Sequence, residues 1–209
     1  MSANTIGTLP CNQSGYSGSI NYSCSSSGVF SITGGSCSIV TSSKITNPDF
    51  LSNYGTNTSG NDYSLGGWRI QSTSNTWGNE GFNAILFNVN SGISCSNGYP
   101  IAAGFQSASV YITITTTSPG YVITKFDWYG VSNLHGSSRN AKDVQFQVYN
   151  GSSWVTLLSF QLPSSSSCGG TPNTYDVSNT IRSNLYRFYI ANTWGDSSVK
   201  IRGFVFYGY

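Results

Sequence analysis

Through most of the chain the apolar residues recur at every second position, and nothing from Phe82 to Tyr209 carries a helical period of useful length. A period of two belongs to a half-buried β-strand, whose successive side chains point to opposite faces. Val110, Ile112 and Ile114 alternate with Tyr111, Thr113 and Thr115, and Val144, Phe146 and Val148 with Gln145, Gln147 and Tyr149. Tyr186, Phe188 and Ile190 alternate with Arg187 and Tyr189. Phe82 to Val89, Trp154 to Gln161 and Val199 to Tyr207 are further strand candidates, as is Tyr121 to Tyr129 with Val122, Phe126 and Trp128 on one face. Pro119-Gly120 marks a turn, and Asn150-Gly151 is a hairpin signal. Strands at this spacing, joined by Gly, Ser and Asn loops, predict an all-β chain folded as an antiparallel sandwich or barrel.

The 209 residues suffice for one such sandwich and a smaller appendage, or for two small domains. Only 8% of them are charged, against roughly 25% in ordinary globular domains. Aromatics reach 14%, enough to build a core. Solubility must then come from Ser, Thr, Asn and Gly, a balance common in secreted adhesins, lectins and phage fibres. The net charge is +2 and the nine basic residues are scattered, so no segment has the clustered Lys and Arg that a phosphate backbone requires, and nucleic acid is not expected as a partner. No apolar run approaches the ~20 residues of a membrane span. Met1 to Pro10 has neither the basic nor the apolar region of a signal peptide; the expectation is a piece of a longer, exported protein.

Residues 1–38 stand apart from 39–209. Cys11, Cys24 and Cys37 are separated by twelve residues each time, and each interval holds a short β-like stretch, Ser19 to Ser23 or Val29 to Thr33. Two intervals are too few for a solenoid. The segment reads equally as a module of a repetitive stalk and as a disulfide-tied extension. The other two cysteines, Cys95 and Cys168, each lie in a Ser- and Gly-rich loop. Without a CxxC pair, and with a single His, zinc is not expected. Disulfides in an oxidising compartment are, with Cys95–Cys168 as the expected bridge and one thiol of the odd count left over or paired outside the chain.

Asn47-Pro48-Asp49-Phe50 and the later Gly66-Gly67-Trp68-Arg69-Ile70 resemble the opening of many jelly-roll carbohydrate-binding modules, an N-x-D-F strand followed by a G-W strand. Ile123-Thr124-Lys125-Phe126-Asp127-Trp128-Tyr129-Gly130, the loop after it leading to Ala141 through Val148, the hairpin Asn150-Gly151-Ser152-Ser153-Trp154, and the runs Tyr186 to Ile190 and Ile201 to Gly208 follow in order. These stretches resemble the central strand, the D-G-x-x-W hairpin and the last two strands of the discoidin family, the type C domains of coagulation factors, within the galactose-binding-like jelly rolls. Arg202-Gly203 sits where the family usually has an acidic residue, and the paired terminal cysteines of the clotting-factor members are absent. The resemblance implies a jelly-roll β-sandwich that binds a ligand, a sugar above all, through loops at one end.

The candidate site residues follow from that end. The loop Val131 to Lys142 holds the chain's only His, His135, with Arg139 and Asn140 close by. Donors and acceptors of this kind beside an aromatic ring suit a sugar; they are also ordinary solvated loop residues. Trp194 is the better candidate stacking platform and Trp77 the second, both in polar, Gly-containing loops, whereas Trp128 and Trp154 fall in strands and read as core. Asp49 and Asp62 could hold a structural calcium, or simply make turn contacts. The seven acids are spread singly and no G-x-S-x-G elbow is present, so an enzyme is not expected. The expectation is a non-catalytic carbohydrate-binding or adhesive domain of a secreted or cell-surface protein, with a glycan as partner. The alternative is the structural tip of a homotrimeric fibre. Lipid binding would need apolar loop tips flanked by Lys or Arg, and these loops are mostly Ser, Asn and Gly.

Overall fold

The structure, a computed structural model, describes residues 5–11, 16–45, 60–76, 103–130, 137–164 and 171–209. These fold into fifteen strands: β1 (Thr5–Pro10), β2 (Tyr16–Cys24), β3 (Phe30–Ile39), β4 (Ser43–Lys44), β5 (Asp62–Leu65), β6 (Trp68–Ser72), β7 (Ala103–Phe105), β8 (Val110–Thr115), β9 (Ile123–Tyr129), β10 (Asp143–Tyr149), β11 (Trp154–Gln161), β12 (Asn173–Asp176), β13 (Leu185–Ile190), β14 (Val199–Ile201) and β15 (Gly203–Gly208). The chain divides into two compact units, Met1–Ser43 and Lys44–Gly208.

The second unit is a sandwich. One sheet has six strands in the order β11-β10-β13-β8-β6-β5, all paired antiparallel, and the other has four in the order β12-β9-β15-β4. β14 and β7 form a separate two-stranded sheet. The alternation read in the sequence decides the faces. In β8 and β13 every second residue is buried, Val110, Ile112 and Ile114 facing inward with Tyr186, Phe188 and Ile190. From the smaller sheet Phe126, Trp128, Phe204 and Phe206 pack against them, none more than 1% exposed. Phe188 sits among five aromatic rings drawn from both sheets. Each such side chain contributes about 1.5–3 kcal/mol through the apolar area it takes from water.

Asp127 lies on the other face of β9 and is also buried, which a carboxylate tolerates only with hydrogen bonds. Thr174 and Tyr207 donate to its two oxygens at 2.7 and 2.8 Å. Burial, reinforced by the Asp127 carboxylate, pushes the Tyr207 phenol up to about 12.

Two strand expectations are revised. The run Val199 to Tyr207 is two strands, broken at Arg202, whose N–H donates to Tyr129 O at 3.0 Å as the chain leaves β14 for the four-stranded sheet. The stretch opening at Tyr121 becomes a strand only at Ile123, because Tyr121 is engaged in an isolated bridge to Ser183. Phe82 to Val89 lies outside the described residues.

The first unit is a three-stranded antiparallel sheet, β1-β2-β3, whose strands are longer than the short stretches read from the cysteine intervals. Cys11 and Cys37 form a disulfide tying the end of β1 to β3, and Cys24 is a free thiol at the end of β2. Ile6, Leu9, Tyr16, Val29, Phe30, Ile32 and Ile39 are exposed, and no described residue of this unit belongs to the buried core. Cys95 and Cys168 lie outside the described residues.

Candidate functional site

At one end of the sandwich the segment entering β10 meets the segment leaving β13. After β9 the chain reaches a single 3-10 turn, Ser137–Arg139, and then Asn140 and Ala141 bridge to Lys200 and Thr193. Lys142 N–H donates to Asn192 O, and Leu162 N–H to Lys142 O. Three stretches far apart in sequence, around 139–142, 162–164 and 191–198, are thereby joined by backbone hydrogen bonds.

Asp196 organises the last of these. Its N–H donates to Thr193 Oγ1, its Oδ1 accepts from both the N–H and the hydroxyl of Ser198, and its Oδ2 accepts from Arg139 Nε at 3.1 Å. The Ser198 hydroxyl, with Arg139 adding to it, holds the Asp196 carboxyl below the usual carboxylate range, so it is ionised wherever the protein is folded at neutral pH. The Arg139–Asp196 pair is partly exposed, 35% and 25% at the two side chains, and contributes little to stability. Its effect is to fix the Arg139 guanidinium against the loop that carries Asp196.

Trp194 precedes Asp196 by two residues. It is 36% exposed, the only large apolar side chain of the sandwich exposed among the described residues. Its indole N–H donates to Leu162 O at 3.1 Å, and the Lys142 ammonium lies 4.9 Å over its ring. An indole pinned by its own N–H keeps one orientation, which suits it to stacking on an apolar ligand face.

Of the residues expected at a site, Arg139, Asn140 and Trp194 are brought to this one end. Asn140 differs in kind: it is 3% exposed, its amide donates to Ser164 O at 3.1 Å, and it borders a cavity of about 10 Å³, room for one water at most. It is a buried, hydrogen-bonded residue of the fold. His135 and Trp77 lie outside the described residues, as does Asp49. Asp62 is in β5, where both carboxylate oxygens accept from Arg69 of β6 and Gln71 adds a third bond. A cation there would have to displace a guanidinium, so Asp62 fits a role in the β5–β6 hairpin and does not fit calcium ligation. Lys142 and Asp196 escaped the sequence reading. The one local signal was Thr193, Asp196 and Ser198, a spacing of short polar side chains that caps loops.

No protein-family model matches the chain, and no curated protein sequence matches it. Solved structures do match. A family 32 carbohydrate-binding module from Clostridium perfringens NanJ, in complex with galactose, superposes with a TM-score of 0.52 at 8% identity, covering 70% of this chain and 98% of that one. Another Clostridium perfringens module, CBM32-5, in complex with GalNAc-β-1,3-galactose, gives 0.51 at 15% identity, covering 68% and 95%. The family 32 module of Streptococcus pneumoniae EndoD gives 0.50 at 16% identity, covering 68% and 97%. The sandwich therefore shares the discoidin-like jelly-roll fold of these modules.

Proposed function

We propose that the sandwich is a non-catalytic glycan-binding module of a secreted or surface-exposed protein, taking a neutral sugar at the end where Trp194, Lys142 and the Arg139–Asp196 pair meet. The observation that carries this reading is Trp194 itself: an oriented indole beside the Lys142 ammonium and, among the described residues, the one exposed large apolar side chain of the sandwich. A pyranose would lay its apolar face on the indole and offer hydroxyls to Arg139 and Asp196, with His135, four residues before Arg139 in sequence, as a further hydrogen-bonding partner. Two structural neighbours are complexes with galactose and with GalNAc-β-1,3-galactose, which supports the ligand class. The Cys11–Cys37 disulfide supports an oxidising, extracellular setting.

A monosaccharide should bind at about millimolar to micromolar strength, on the order of 4–8 kcal/mol. Titration calorimetry with galactose and GalNAc-β-1,3-galactose should show Trp194→Ala weakening binding at least tenfold, about 1.4 kcal/mol, and His135→Ala and Arg139→Ala weakening it as well. Melting curves should stay close to the parent's, because exposed positions shift stability little. Unchanged affinity in Trp194→Ala would place the sugar elsewhere.

A second reading, a fibre tip assembled as a homotrimer, is favoured by the first unit: residues 1–43 contain no charged side chain and present seven exposed large apolar residues. Such a surface is usually covered by another chain. Multi-angle light scattering should then give a mass of three chains; a monomer at high concentration removes this reading and leaves the first intact.

A further inference from the structure

The outward face of the six-stranded sheet carries a braced stack of side chains. Tyr189 of β13 lies on Tyr111 of β8 with ring centroids 4.5 Å apart. The Arg187 guanidinium lies 4.5 Å over Tyr111 and 4.1 Å over Trp154 of β11. Arg187 is held there by Gln147, whose Oε1 accepts from Arg187 Nε at 2.6 Å. Gln147 Nε2 in turn donates to Gln145 Oε1 at 2.9 Å and to Thr156 Oγ1 at 3.0 Å. The network orients Gln145 and, through Tyr111, Tyr189, which are direct cross-strand partners.

Cross-strand pairing alone explains the stack as sheet stabilisation. It does not explain what lies beside it: an open groove of about 340 Å³ lined by Tyr189, Gln145, Ser159, Asp143 and Gln161, within the ~300–1,000 Å³ range of small-molecule sites. Its polar groups are only half used. Gln145 gives its carbonyl oxygen to Gln147, and its amide NH₂ has no partner among the described residues. Gln161 Nε2 donates to Asp143 Oδ1 at 2.9 Å, which leaves the side-chain Oε1 of Gln161 likewise. The Gln161 amide, with Asn192 next, holds the Asp143 carboxyl below its ordinary range, so it is an anionic acceptor. Fixed donors and acceptors beside an aromatic ring are what adjacent sugar hydroxyls and an apolar sugar face require.

We propose that this groove is a second saccharide subsite, in which one neutral pyranose of an oligosaccharide lies against Tyr189 and hydrogen-bonds Gln145, Gln161 and Asp143. The Asp143 carboxylate disfavours an acidic sugar by like-charge repulsion. The subsite rests on the reading of the sandwich as a glycan binder and extends it. It adjoins the first site in sequence, since Asp143 follows Lys142 and the groove's Ala191 precedes Trp194 by three residues.

The test is a titration of the ¹⁵N-labelled full chain with methyl β-galactoside and with lacto-N-tetraose, a neutral tetrasaccharide, following the Gln145 and Gln161 side-chain amides and the Trp194 indole. The tetrasaccharide should shift both glutamine amides. Tyr189→Ala and, as a milder second variant, Gln145→Ala should each weaken it at least fivefold while leaving the monosaccharide's effect on Trp194 unchanged. If Trp194 responds and the glutamines stay silent, the subsite is refuted and the first site stands. If the glutamines respond and Trp194 does not, the groove is the site and the end loop is not. Shifts of the glutamine amides with protein concentration, sugar absent, would assign the groove to a second copy of the chain and overturn the proposal. Silence at all three probes refutes both readings.

Discussion

Replacing Phe188 by alanine is expected to cost the sandwich about 3–5 kcal/mol of unfolding free energy, the range for emptying a buried aromatic site. The size follows from where the ring lies. It is fully buried, with Phe146 and Phe204 at 4.9 Å and Trp128 and Phe126 edge-on at 5.1 and 5.3 Å. β13 is an interior strand, paired to β10 on one side and β8 on the other, so its backbone cannot move in to close the cavity. Domains of this kind have only about 5–15 kcal/mol in all, so the variant should unfold at much lower urea. Phe188→Leu, which keeps most of the volume, should lose less than about 1.5 kcal/mol. Equal losses for the two variants, or a loss below about 1.5 kcal/mol for alanine, would mean that the sheets do not interlock at this ring.

Reducing the Cys11–Cys37 bridge, or replacing Cys37 by serine, is expected to unfold the first unit and spare the second. The bridge closes 26 residues, which in the loop-entropy account is worth about 3 kcal/mol. The sheet it ties has little else: its large apolar residues are exposed, and the ring contact between Tyr22 and Phe30 at 5.2 Å is no substitute for a core. Small sheets without a buried face are marginal in water. Hydrogen exchange should show protection lost across β1, β2 and β3 and retained in β8, β10 and β13. Cys24→Ser, at the free thiol, should change neither unit. Retained protection in β1 to β3 after reduction would show that the strand ladder alone suffices.

Much of the fold was legible because strand faces are a local property. Phe188 points inward and Arg187 and Tyr189 outward for no reason beyond the two-residue repeat of an extended chain. The Asn150-Gly151 turn was equally local. Asn150 Oδ1 accepts from the N–H groups of Ser152 and Ser153, and Gly151 takes a φ of +97° that other residues avoid. The loops that could form an end site were legible too, since they are what separates one alternating run from the next.

Contacts between runs were not legible. Arg139 and Asp196 are 57 residues apart, and nothing in either neighbourhood names the other. They meet because β10 and β13 are neighbours in the sheet, a consequence of strand order rather than of either strand's residues. The same holds for Asn140, which has the chemistry of a sugar ligand but is turned inward to Ser164 by the return of the chain after β11. It holds also for Arg202, where one apolar run had to break to serve two sheets, and for the choice of Cys37 over Cys24 as the partner of Cys11. By itself the sequence determined the strands β8, β10 and β13 and which way their side chains face, since backbone geometry and hydrophobicity act within a few residues; Trp154, read as core, instead lies on the outward face under Arg187. Which strands become neighbours, and so which side chains meet at the end of the sandwich, was decided by the packing of two sheets on one aromatic core, an energy shared over the whole domain and written in no single segment.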